Sequence, residues 1–238
     1  MAEPIIDWLN AQQENMLSLL ADLVNIDSNS FDKVGVDRVA GRLRTFFDNH
    51  AIPCETIPLP DHGDALRAVV SGGDGNRPIL LCGHRDTVFA TGEVEKRPFT
   101  MHDGKAFGPG VADMKPGLVI NAFILAAFHK FGGHPNPLIG LFTGDEEIGS
   151  PSSKNIIIAE AEKARLAFNS EPSRPNGNIV TKRKGGIFCY CAIKGVAAHS
   201  GGFFTDGRSA IEELAHKIQA LHALTDLEKG TTINVGLV

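Results

Sequence analysis

The chain has 238 residues, of which 42% are hydrophobic and 21% charged. That length supports one large domain or two smaller ones, and that composition excludes a disordered tail, a collagen-like chain and a coiled-coil fibre. With 23 basic and 28 acidic residues the formal charge is -5, so no global positive field draws the chain to nucleic acid or to an anionic membrane.

The N-terminal residues lack the basic start and unbroken apolar run of a secretion signal, and no window approaches the roughly 20 apolar residues of a membrane span. The chain reads as cytoplasmic, with no membrane or nucleic-acid partner. Cys54, Cys82, Cys189 and Cys191 lack the paired spacing of a zinc knuckle or disulfide scaffold and read as reduced, buried thiols.

Apolar residues recur with helical spacing at Leu9, Met16, Leu19, Leu20 and Leu23, and again at Val36, Val39, Ala40, Leu43, Phe46 and Phe47. Two opening helices follow from that period. Residues 65–71 and 78–82 read as strands, and the turn-forming Gly72-Gly73-Asp74-Gly75-Asn76 between them suggests a hairpin. A buried helix over 118–131, a strand over 138–143, a helix over 152–165 and a strand over 166–169 come next. Alternation of strand and helix implies an α/β sandwich. After the turn-rich residues 171–177 the pattern changes to a strand over 187–193, a Gly-rich loop and an amphipathic helix carrying Ile211, Leu214, Ile218 and Leu221. We place a domain boundary near Lys184, between a larger domain of residues 1–184 and a smaller one of residues 185–238. The last segment, 231–238, alternates like a strand and reads as an interrupted chain.

Four clusters of potential ligands follow, or lie just beyond, expected strands: Gly83-His84-Arg85-Asp86-Thr87, Gly110-Val111-Ala112-Asp113-Met114-Lys115, Gly144-Asp145-Glu146-Glu147 and Ser170-Glu171-Pro172-Ser173. Ligands of α/β sheets gather outside the carboxyl ends of the strands, so loops far apart in sequence are expected to converge there. Each cluster also has a plainer reading: His84 as a core histidine, Asp113 as a helix cap, Glu146-Glu147 as a solvated pair. Taken together, one imidazole and several carboxylates without thiolate suit zinc, cobalt or manganese.

Five ordered motifs, Gly83-His84-Arg85-Asp86-Thr87-Val88, Gly108-Pro109-Gly110-Val111-Ala112-Asp113-Met114-Lys115, Thr143-Gly144-Asp145-Glu146-Glu147-Ile148-Gly149-Ser150, Ser170-Glu171-Pro172 and Gly195-Val196-Ala197-Ala198-His199-Ser200-Gly201, resemble those of the M20 family of metallopeptidases and aminoacyl hydrolases, most closely its glutamate carboxypeptidase-like branch. The resemblance implies a zinc-peptidase-like α/β/α sandwich with a smaller α+β lid that makes a homodimer. It also implies two divalent metal ions bridged by Asp113, one held also by His84 and Glu171 and the other by Glu147. Glu146 becomes the general base that takes a proton from metal-activated water. Asp86 becomes the residue that orients the His84 imidazole, and His199 the lid residue that reaches a partner's site and steadies the oxyanion. A cis peptide is implied between Asp113 and Met114. The implied reaction is cleavage of an amide, in a peptide or N-acyl amino acid, next to a free carboxylate.

Two departures accompany the resemblance. Pro116 stands where many relatives have glycine, which the first turn of a helix accommodates. Family members also continue past this length and supply another histidine to the second metal, so weak binding of that metal is expected here. A noncatalytic fragment or association module, and an aminoacylase or deacylase on the same scaffold, are the alternative readings.

Overall fold

The computed structural model describes residues 2–73 and 75–238. These form two compact units, Met1–Ile179 and Val180–Val238.

The first unit opens with helices α1 (Ala2–Asn10), α2 (Gln13–Val24) and α3 (Lys33–Asn49). The first of the two expected helices is therefore a pair, parted where the Gln12 amide reaches only to the Leu9 carbonyl, at 3.0 Å. Asp32 caps α3 by accepting from the Gly35 amide at 3.0 Å. The buried face of α3 is the one its period announces, from Val36 through Phe47. There follow β1 (Cys54–Ile57), β2 (Ala65–Val70), β3 (Ile79–His84), α4 (Glu93–Lys96), a hairpin of β4 (Thr100–His102) and β5 (Lys105–Phe107), α5 (Lys115–Lys130), β6 (Leu138–Thr143), α6 (Lys154–Lys163) and β7 (Leu166–Asn169).

Five strands form one sheet in the order β1-β2-β6-β3-β7. β6 runs parallel to β3, β3 parallel to β7, and β2 antiparallel to both β1 and β6. The hairpin expected between β2 and β3 does not form, because β6 lies between them. The glycine-rich connection is bonded instead to the segment leading into β6: Gly73 donates to the Pro135 carbonyl at 2.8 Å, and Ile79 to that of Pro137 at 2.8 Å. Gly72 serves close approach there, since a Cβ would lie 2.3 Å from the Pro137 nitrogen.

All six residues of β6 are buried, as a central strand covered on both faces requires. On one face, side chains of α2, α3 and α5 join Leu66, Leu81 and Phe142 in the main core. On the other, Leu80, Ile139 and Leu141 meet Ile156 and Ile157 of α6. The arrangement is an α/β sandwich. Within it, α5 begins with Pro116 in its first turn, and Gly132 and Gly133 end it with φ of 91° and 85°.

The second unit holds a 3-10 turn, Phe204–Asp206, and α7 (Ala210–His222), whose first turn is capped by Ser209 accepting from the Glu212 amide at 3.1 Å. The strands expected over 187–193 and 231–238 are not formed. Among the described residues these segments have no ladder partner beyond the single bridge of Thr231 to Asp226, and alternation without a partner leaves Ile187, Phe188 and Tyr190 exposed. The thiols of Cys189 and Cys191 are exposed rather than buried for the same reason, while Cys54 and Cys82 are half-buried and all four are free. No helix among the described residues is long and apolar enough to cross a membrane.

Candidate metal centre

In the parallel ladder His84 stands opposite Thr143 and Cys82 opposite Asn169, so β3, β6 and β7 end at one edge of the sheet. The segments just beyond those ends carry Asp86, the Asp145-Glu146-Glu147 run, and Ser170-Glu171. Asp113 comes to the same edge from the turn before α5, and its peptide bond to Met114 is cis.

The side chains meet around the His84 imidazole. Its Nε2 lies 3.1 Å from Asp113 Oδ1, 3.5 Å from Glu171 Oε1 and 3.8 Å from Glu146 Oε2. Two overlapping groups, His84 with Glu146 and Glu171, and His84 with Asp113 and Glu147, each bring ligand atoms within 4.8 Å of one another. His84 is buried, whereas the side chains of Asp113 and Glu146 are 56% and 48% exposed. The centre thus has an anchored imidazole at its base, a largely covered Glu171 carboxylate, and the Asp113 and Glu146 carboxylates open to solvent. A cavity of about 170 Å³ reaches His84, Glu146 and Glu171 past an apolar side made of Leu141 and Ile157.

Asp86 does more than face the imidazole. Its Oδ1 lies 3.3 Å from His84 Nδ1 and accepts from the Glu146 amide at 3.2 Å. Its Oδ2 accepts from the Glu147 amide at 3.1 Å and from Ser30 Oγ at 2.7 Å. One fully buried carboxylate therefore fixes both the ring and the turn carrying the two glutamates, through their amides rather than their side chains. Buried Asp145 extends the clamp by accepting from the Ser152 and Ser153 amides at 2.7 and 3.0 Å, which ties the glutamate turn to the start of α6. Ser30 carries no local sequence signal for this role, being 56 positions from its partner. Arg85, between His84 and Asp86, is wholly buried and donates to the carbonyls of Val36 and Asp64. His199 belongs to the second unit, where it is exposed and its Nδ1 accepts from the Gly201 amide at 3.1 Å.

Carboxylates outnumber cations at this edge, and the titration of the groups reflects it. Burial lowers the His84 pKa, but the hydrogen bond and charge of Asp86 and the charges of Glu171 and Glu146 outweigh it and push it up to about 9. Burial, with Asp113 and Glu146 beside it, pushes Glu171 up to about 7 against the favourable charge of His84. Glu147 is raised first by burial, then by Asp113, Asp86 and Glu146. A divalent cation would relieve this crowding. One imidazole nitrogen with several carboxylate oxygens, and no thiolate, is a donor set that fits zinc, cobalt or manganese.

Lys115 lies just behind this edge, buried, with its Nζ donating to the Ile26 carbonyl at 2.8 Å. Burial pushes its pKa from 10.5 down to about 8, only partly offset by Asp27. The unfolded chain therefore binds this proton more tightly, so the penalty on folding is full below pH 8 and vanishes as the pH rises towards 10.5. Relative to Lys115→Met, the parent chain is expected to gain about 3 kcal/mol between those limits, read from urea midpoints at each pH. A pH-independent gap would contradict the assignment.

The sequence model of peptidase family M20/M25/M40 matches residues 80–234. Among curated relatives, carboxypeptidase G2 of Pseudomonas sp. (strain RS-16) is 28% identical over 227 residues, covering 94% of this chain and 54% of that protein. The chain thus spans about half the length of that relative. Human carnosine dipeptidase 1 superposes with a TM-score of 0.62 at 16% identity, over 72% of this chain and 41% of that one. A tripeptidase from Staphylococcus aureus superposes with a TM-score of 0.62 at 17% identity, over 88% and 56% respectively. Both structural likenesses carry the fold.

Proposed function

The chain belongs to peptidase family M20/M25/M40, and from that premise we propose that it forms the metal-binding part of a hydrolase that cleaves an amide bond next to a free carboxylate, in a peptide or an N-acyl amino acid. The observation that carries the reading is the meeting of His84, Asp113, Glu146, Glu147 and Glu171 at one sheet edge, from four separate segments of chain. His84, Asp113 and Glu171 would hold one divalent ion, and Asp113 with Glu147 a second, zinc being the best match to the donors. When bound, such ions supply Lewis acidity towards water and towards the amide carbonyl.

The remaining chemistry belongs to the chain's own residues. Glu146, anchored through its amide while its carboxylate stays open, takes a proton from the attacking water and returns it to the leaving amine. Asp86 holds the Nδ1 side of the imidazole, so that Nε2 faces the carboxylates. In this reading residues 185–238 belong to a lid that pairs two copies, with His199 of a second copy steadying the oxyanion.

Hydrolysis of N-acyl-glutamate and of dipeptides, followed before chelation, after it, and after zinc is restored, tests the proposal. Turnover is expected to vanish and return. Turnover that survives complete removal of metal would contradict it.

A further inference from the structure

Glu171 poses a problem of placement. It lies just past the end of β7, and residues 172–178 beyond it are exposed and without regular structure. Its carboxylate nevertheless reaches within 3.5 Å of His84. What holds the backbone is the preceding residue. Ser170 extends the ladder by donating its amide to the Cys82 carbonyl at 3.3 Å, and its Oγ donates to Asn121 Oδ1 at 2.7 Å. The Asn121 amide nitrogen donates in turn to that same Cys82 carbonyl at 3.0 Å.

Asn121 is fully buried on α5 and is the one polar residue in an apolar run covering 118–127. A buried amide costs stability unless bonded, and an apolar residue would fill such a helix position without that demand. Both its bonds here go to the strand that carries His84 and to the residue before Glu171. One helical turn earlier, on the same face, Gly117 approaches so closely that a Cβ would lie 2.2 Å from the Ser170 carbonyl oxygen. Together Gly117 and Asn121 form a socket on α5 for Ser170.

We propose that Asn121 is a positioning residue: through Ser170 it sets Glu171 at its distance from His84, and it thereby determines affinity for the metal ion those two residues share. The inference rests on the metal-binding reading above. The test is zinc affinity by competition with a chromophoric chelator, on the full chain, for the parent, Asn121→Leu, Ser170→Ala, Glu171→Gln and the Ser170→Ala/Glu171→Gln double variant, with folding followed by circular dichroism. Asn121→Leu and Ser170→Ala are each expected to weaken binding about 10- to 100-fold. In the Glu171→Gln background, Ser170→Ala is expected to add no further loss, because its effect runs through that carboxylate. Should Asn121→Leu fail to fold, Ser170→Ala carries the test alone, since it removes one hydroxyl. Folded variants that bind zinc as the parent does, or a Ser170→Ala loss that persists undiminished without the Glu171 carboxylate, would overturn the inference. A parent chain that binds no zinc would overturn the metal-binding reading itself, and this inference with it.

Discussion

Replacing Glu146 by alanine is expected to lower turnover about 100- to 10,000-fold while leaving the zinc content of the chain unchanged. The reason lies in how the residue is held. Its amide donates to Asp86 at 3.2 Å, and the neighbouring Glu147 amide does the same at 3.1 Å, so truncating the Glu146 side chain leaves the turn anchored and Glu147 in place. Distances alone also group Glu146 with His84 and Glu171 as a set of ligands, and the two roles separate cleanly by experiment. A base lost from Glu146 costs rate at constant metal, whereas a ligand lost costs metal. Steady-state kinetics beside metal analysis distinguishes them, with Glu147→Ala as the comparison that is expected to lose metal. Unchanged kcat in Glu146→Ala would remove the proposed base.

Asp86→Ala is expected to have the largest effect on the folded state. The side chain is wholly buried and serves four partners: the His84 ring, Ser30 Oγ, and the amides of Glu146 and Glu147. Removing it strands buried donors and breaks a buried ion pair, which together should cost about 3–5 kcal/mol in urea unfolding of the metal-free chain. The effect also has a pH signature. The folded His84 pKa of about 9 lies above its ordinary 6.5, so its pairing stabilises fully below 6.5 and fades as the pH rises through 9. The gap between parent and variant should therefore be wider at pH 6 than at pH 9.5. Asp86→Asn, which keeps one acceptor oxygen, should lose less. A variant within about 0.5 kcal/mol of the parent at pH 6 would show that these contacts contribute nothing net.

Much of this architecture is legible in the sequence because its elements are either periodic or continuously apolar. The buried face of α3 follows from its spacing, α5 and the strands β2, β3, β6 and β7 follow from their apolar runs, and the candidate ligand clusters follow from carboxylates just beyond apolar strands. Strand order is different in kind. The apolar runs in residues 65–71 and 78–82 say that each is a strand, but not that β6, more than fifty residues further on, will come between them. Nor do such runs say whether a strand finds a partner, which is why residues 187–193 read as a strand and stand exposed. The four-residue β1 and the three-residue β4 and β5 are too short to show a period at all. At the site, residue types point to the side chains that meet at the sheet edge, but the bonds that hold the imidazole and the glutamate turn together span 56, 60 and 61 positions and leave no local trace. Asn121 is an intermediate case, since one amide in an apolar helix is visible in the sequence while the residue it serves is not.

Anomalous scattering at the zinc edge, from crystals of this chain grown with zinc, is the most direct test of the convergent centre. Zinc is expected at the end of β3, bonded to His84 Nε2 and to carboxylate oxygens of Asp113 and Glu171. Bound zinc found only elsewhere on the chain, with those three side chains free of metal, would contradict it.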